Sequence, residues 1–259
     1  MTAKIAIIGG SGLDDFEAFE SQTIVQATPY GEHASGVKQG CLNGVECVFL
    51  PRHGQQHEQA PHKVNYRANI HLLKQLGVHS IIAINVVGGI TEKMAPKALV
   101  IPDQIIDYTH SREQTFFDGL SNNDQFIKDG RVEHIDFTYP YTPQLREQLI
   151  GFFVDNQIDT VNHGVYACTQ GPRLESAAEI QRLKKDGCDI VGMTAMPEAT
   201  LARELNIDYV SLCLVVNWGA GLTDEVLDIK DIMQTCAEGM SHIKQFLPAL
   251  CERTHLSLA

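Results

Sequence analysis

Residues 4–12 read KIAIIGGSG and residues 79–89 read HSIIAINVVGG. Each is an apolar run, too short for a helix, that ends on glycines. That pattern predicts a buried strand running into a tight turn. Between them, Asn65 to Leu76 repeats apolar residues at Ala68, Leu72, Leu73 and Leu76 and stops at Gly77, which predicts a helix. Outward from this strand–helix–strand frame, the chain keeps alternating. Strands are expected over Thr23–Ala27 and over Glu46–Leu50, the second after an Asn43-Gly44 turn. Further strands are expected over Leu99–Ile106 (broken by Pro102), His163–Cys168, Asp189–Gly192 and Asp208–Val216. Helices are expected over Gln144–Phe153, Glu175–Lys185, Pro197–Leu205 and Asp228–Glu252. The polar stretch Asp118–Arg131 reads as a mobile loop, either over a site or as a plain surface excursion. Alternation from end to end argues α/β with a largely parallel sheet. With no repeat, low-complexity tract or linker, residues 1–259 are expected to form one domain.

The chain carries a formal net charge of -12 with a pI near 5.3, which disfavours nucleic acid as a partner. Seven scattered cysteines without a CxxC read as reduced thiols. MTAKIAIIGG enters a strand almost at once, with no secretory signal and no run of 18 apolar residues after it. A soluble, cytoplasmic protein that does not engage membranes is expected.

In open α/β folds, ligands collect at the carboxyl ends of strands. Four such ends are polar or glycine-rich: Gly9-Gly10-Ser11-Gly12, Arg52-His53-Gly54, Gly192-Met193-Thr194 and Asn217-Trp218-Gly219. The first offers backbone N–H groups and a hydroxyl to an anion, without the lysine of a P-loop. Arg52 matches a tetrahedral oxyanion through its planar fork. His53 could donate to phosphate, and Thr194 could add a hydroxyl. Each alone also fits a structural role; the convergence of donor types is the signal. His53, His57 and His62 lack metal-ligand spacing and HExxH is absent, so no metal is expected. No GxSxG elbow supports a serine hydrolase.

Several segments together resemble the trimeric purine nucleoside and methylthioadenosine phosphorylases. They are the Gly9–Gly12 turn, Arg52-His53-Gly54, PHKVNYRAN over 61–69, Gln170-Gly171-Pro172-Arg173, and Gly192-Met193-Thr194 with Pro197-Glu198. The likeness covers nearly the whole chain in order. It implies one α/β domain built on a central mixed, partly closed sheet flanked by helices. It implies a homotrimer that needs no metal or organic cofactor, with a nucleoside as substrate and inorganic phosphate as co-substrate. Carried over by position, Ser11, Arg52, His53, Thr194 and the backbone N–H of Val86 would bind phosphate. Ser11 stands where the family usually has threonine and keeps the hydroxyl. Met193 would lie against the ribose. Asn217 would face the purine, with Trp218 and Gly219 beside it, and Arg52, His53 and Asn217 would carry the catalysis.

Two positions bear on the base. Methylthioadenosine phosphorylases carry aspartate where Asn217 stands, whereas relatives acting on 6-oxopurines carry asparagine there and a glutamate at the position of Glu175. An amide N–H can donate to O6 or N7, and a carboxylate can accept from N1–H, a proton that adenine lacks. At the 5′ end, Ile229, Ile232 and Met233 on the last helix suit a methylthio group better than a hydroxyl, if they are not simply core. His134 would arrive from a neighbouring subunit. Together these point to 5′-methylthioinosine. A 5′-methylthioadenosine or general 6-oxopurine preference is the alternative within the class. Outside it stand a non-catalytic nucleoside-binding protein and a nucleoside hydrolase, though the latter would leave the anion turn without purpose.

Overall fold

The computed structural model describes residues 4–10, 12–13, 21–119, 126–127, 132–224 and 226–256. The opening run forms β1 (Lys4–Gly9), which pairs in parallel with β4 (Val45–Pro51) and with β5 (Val78–Gly89). Their apolar runs are continuous because both faces are covered. Ile5 and Ile7 of β1 pack with Phe49, Ile82 and Leu212 towards α2 (Pro143–Asp155) and α5 (Ile229–Leu256). Ala6 and Ile8 alternate to the other face, with Leu50, Ala83 and Cys213. That face is covered by α1 (Tyr66–Gln75) and α4 (Ala195–Glu204).

The sheet branches at β5. One arm continues through β9 (Ile190–Gly192) and β8 (Val165–Cys168) to β7 (Gln104–Asp107). On the other arm, β10 (Asp208–Trp218) pairs in parallel with β5 and antiparallel with β6 (Leu99–Val100). β6 and β7 are one run of chain parted at Pro102, which cannot donate to a ladder. The circuit β5–β9–β8–β7/β6–β10 therefore closes on itself, and the sheet is mixed and partly closed. The remaining edge carries β3 (Lys38–Leu42) and β2 (Ser21–Thr23).

Most expected elements are found, with informative exceptions. The strand expected over 23–27 is realised only at Thr23, and Val25 is 93% exposed. β3 gave no apolar signal because only Leu42 of its five residues is buried; its partner β4 and the Asn43-Gly44 turn, both residues at positive φ, create it. α3 (Ala177–Lys185) starts after Glu175, because Ser176 caps it in a reciprocal box with Glu179. This leaves Glu175 on the preceding loop. In the expected loop 118–131, residues 120–125 and 128–131 lie outside the described set, yet Ile127 is buried in the core. No described helix is long and apolar enough to cross a membrane.

Candidate active site

The carboxyl ends of β1, β4, β5, β9 and β10 meet at a cavity of about 290 Å³. Its wall includes Gly10, Arg52, His53, Val86, Glu175, Met193, Thr194, Asn217 and Gly219. The chain thus brings together nine positions drawn from across the sequence. Ser11 lies outside the described residues.

Arg52 follows β4 and is 1% exposed. Its backbone N–H donates to Gly9 O at 2.8 Å, which ties the β4 and β1 ends together. Nε and Nη2 donate to the two carboxylate oxygens of Glu198 on α4 at 2.6 and 2.8 Å, and Tyr209 Oη donates to the same carboxylate at 2.9 Å. Burial by itself disfavours the guanidinium charge, but the Glu198 carboxylate outweighs it and holds the Arg52 pKa above its ordinary value. Nη1 is left with one long contact, 3.4 Å to Ile84 O. A Cβ at position 10 would sit 3.1 Å from Nη1, so glycine there lets the backbone approach the charge.

His53 Nδ1 lies 2.8 Å from Gln59 O. A carbonyl only accepts, so Nδ1 carries the proton. Burial, and then the neighbouring Arg52 charge, push the His53 pKa down from 6.5 to about 4. The ring is neutral near pH 7 and its Nε2 is a lone-pair acceptor. The donor expected from sequence is therefore an acceptor here, because the loop carbonyl of Gln59 claims the proton.

Thr194 precedes α4 and is 7% exposed, yet its side chain makes no capping hydrogen bond. Asn85 Nδ2 instead donates to Thr194 Oγ1 at 3.0 Å, so the hydroxyl proton stays available to a ligand. Met193 packs against Gly171, whose φ of +61° and missing Cβ make room for the sulfur. Asn217 Nδ2 donates to Trp218 O at 2.7 Å. Glu175 Oε1 accepts from Thr169 Oγ1 at 2.6 Å.

Four expected residues are not on this wall. Trp218 lines a smaller hollow next to it, with Asn217, Leu227 and Ile232. Ile229 and Met233 are 56% and 67% exposed, and His134 is exposed. Helix phase does not explain the first two, since Ile229 shares a side with Cys236 and Met240, seven and eleven residues on. The first turn of α5 extends past the buried core, so its inner side meets solvent in the single chain. Of the three residues expected from α5 only Ile232 is on this wall, where Leu227 joins it. Leu227 was missed because it stands with Val226 before the helix, outside any periodic run.

Residues 4–252 match the Phosphorylase superfamily. The chain belongs to that family. It is 47% identical to a probable S-methyl-5′-thioinosine phosphorylase of Pseudomonas syringae pv. tomato over 244 residues, 93% of this chain and 96% of that one. It is 43% identical to the 6-oxopurine nucleoside phosphorylase of Pyrococcus furiosus over 250 residues, 95% and 92% of the two chains. Among solved structures it resembles the methylthioadenosine phosphorylase of Schistosoma mansoni, with a TM-score of 0.87 and 29% identity over 96% of this chain and 91% of that one. The chain is an enzyme of the nucleoside phosphorylase type.

Proposed function

We propose that this phosphorylase converts S-methyl-5′-thioinosine and phosphate to hypoxanthine and 5-methylthioribose 1-phosphate. The observation that carries the reading is one cavity holding a buried, charge-assured Arg52 together with Glu175 and Asn217. Arg52 Nη1, the Thr194 hydroxyl, the Val86 N–H and Ser11 hold phosphate, while neutral His53 accepts from its O–H through Nε2. The C1′–N9 bond loosens first, and phosphate beneath the ring stabilises the oxocarbenium-like centre and then bonds to C1′. The electron pair leaves with the purine, and the proton of monohydrogen phosphate ends, in net terms, on the base. Asn217 stabilises charge growing on the departing purine, and Glu175 accepts from N1–H. Met193 lies against the ribose, with Gly219 beside the base.

Leu227 and Ile232 on the cavity wall favour an apolar 5′ group. The exposed apolar side chains of Val226, Ile229 and Met233 are the kind of surface that a second subunit covers. They support an oligomer, a homotrimer by the family resemblance, in which Ile229, Met233 and a neighbour's His134 complete the 5′ end. A cytoplasmic setting suits the free thiols.

The test is base release from methylthioinosine, methylthioadenosine and inosine, each with and without phosphate. Phosphate-dependent release, fastest from methylthioinosine, is expected. Fastest release from methylthioadenosine would overturn the base assignment, and release without phosphate would overturn the mechanism.

A further inference from the structure

Thr169, directly after β8, carries no role so far. Its backbone is held from two sides. Its N–H donates to Gly192 O at 2.8 Å, at the end of β9. On the other side, Arg112 Nη2 donates to Thr169 O at 3.2 Å and to Gln170 O at 3.0 Å, while Arg112 Nε donates to Gln170 Oε1 at 3.1 Å. The same guanidinium reaches Met193 O and Met196 O through Nη1 at 2.8 and 2.6 Å. The 169–170 backbone and the turn bearing Thr194 are therefore fixed to one another.

On this fixed base the Thr169 hydroxyl has one proton and two acceptors within reach, Glu175 Oε1 at 2.6 Å and Gly192 O at 3.3 Å. The carboxylate is both nearer and the stronger acceptor. Glu175 stands on a loop and has no other hydrogen-bond partner among the described residues. The adjacent Arg173 does not compete, since its fork is taken by Glu179 with both contacts at 2.7 Å. A neutral hydroxyl thus sets the plane of the Glu175 carboxylate without neutralising it, and leaves Oε2 for a ligand.

We infer that Thr169 is a specificity-determining positioning residue, which aims the Glu175 carboxylate at a purine carrying a proton on N1. The inference rests on the proposed role of Glu175 as the acceptor for the base.

The experiment compares kcat/KM for methylthioinosine and methylthioadenosine in the unaltered enzyme, Thr169→Val, Thr169→Ser and Glu175→Gln. Removing the hydroxyl lowers the inosine-to-adenosine ratio about tenfold, the worth of one hydrogen bond to a charged group. The change falls in the nucleoside KM, the phosphate KM is unmoved, and Thr169→Ser keeps the ratio. Thr169→Ala gives the same reading should the valine variant not fold. An equal fall on both nucleosides would show a merely structural residue and overturn the inference. An unchanged ratio in Thr169→Val beside a lowered one in Glu175→Gln would overturn it while sparing the Glu175 reading. An unchanged ratio in Glu175→Gln would remove that reading and this inference with it.

Discussion

The two halves of the cavity are built differently. Around Arg52, groups are buried and heavily bonded: Arg52, Glu198 and Thr194 are 1%, 2% and 7% exposed, and both oxygens of Glu198 are occupied. Around Glu175 and Asn217, groups are half-buried and each side chain makes one hydrogen bond. The first half is enclosed by the core; in the second, Glu175 stands on a loop and Asn217 at the end of β10, both partly open to solvent. Charge taken out of water must be paired and fixed, whereas partly solvated groups can be exchanged at small cost. Under the proposed function, the groups that hold phosphate are thus tied to the integrity of the fold, and selectivity among nucleosides is left to side chains that can change.

Substitutions on the two sides should differ accordingly. The largest effect is expected at Arg52→Ala, which strands Glu198 as an unpaired buried charge. Denaturant unfolding should show a loss of about 3–5 kcal/mol, and kcat/KM should fall about 10²–10³-fold. A small stability loss would dissolve the contrast between the halves.

His53 gives a pH signature. Its folded pKa of about 4 lies below the ordinary 6.5, so between these values the unfolded chain binds a proton that the native state refuses. Its contribution is fully present above pH 6.5 and is lost as pH falls towards 4, by roughly 3 kcal/mol in all. Comparing unfolding at pH 7 and pH 4 should show a smaller difference in His53→Gln by about that amount. An unchanged difference would mean that the native ring takes up its proton as readily as the unfolded one.

On the other side, Asn217→Asp should cost little stability and shift preference towards the 6-amino base about tenfold, the worth of one charged hydrogen bond. Relative kcat/KM on the two methylthio nucleosides measures it, and an unchanged ratio would take Asn217 out of base selection. Smallest are the effects on α5. Ile232→Ala should raise KM for methylthioinosine several-fold and cost about 1–2 kcal/mol. Ile229→Ala should stay within about 0.5 kcal/mol in the protomer. Equal costs at the two positions would place the first turn of α5 against a surface that the single chain does not contain.

The legibility of the sequence follows the same division. β1, β5 and β10 were readable because burial on both faces writes continuous apolar runs, and α1 because a half-buried helix writes a period. β3 was not readable, since an edge strand with one buried residue writes neither. At the site, Arg52, His53, Thr194 and Asn217 could be picked out as polar groups at the ends of readable strands. Glu198 was visible only as part of a motif, and Thr169 not at all, because their importance lies in contacts 146 and 6 residues away in sequence. Ile229 and Met233 show the converse: the helix period says which side of α5 is apolar, but not how far along it the core extends.

By itself, then, the sequence determined the order of strands and helices, the chemical types gathered at the strand ends and the resemblance to a family. These are local or positional properties that periodicity and spacing record. Tertiary structure alone decided the closure of the sheet, the pairing that keeps Arg52 charged, the tautomer of His53, and which apolar residues reach the cavity. Each depends on the distance between groups that are not neighbours in the chain, from six residues apart at His53 and Gln59 to 146 at Arg52 and Glu198, and distance sets both hydrogen bonding and the cost of burying charge.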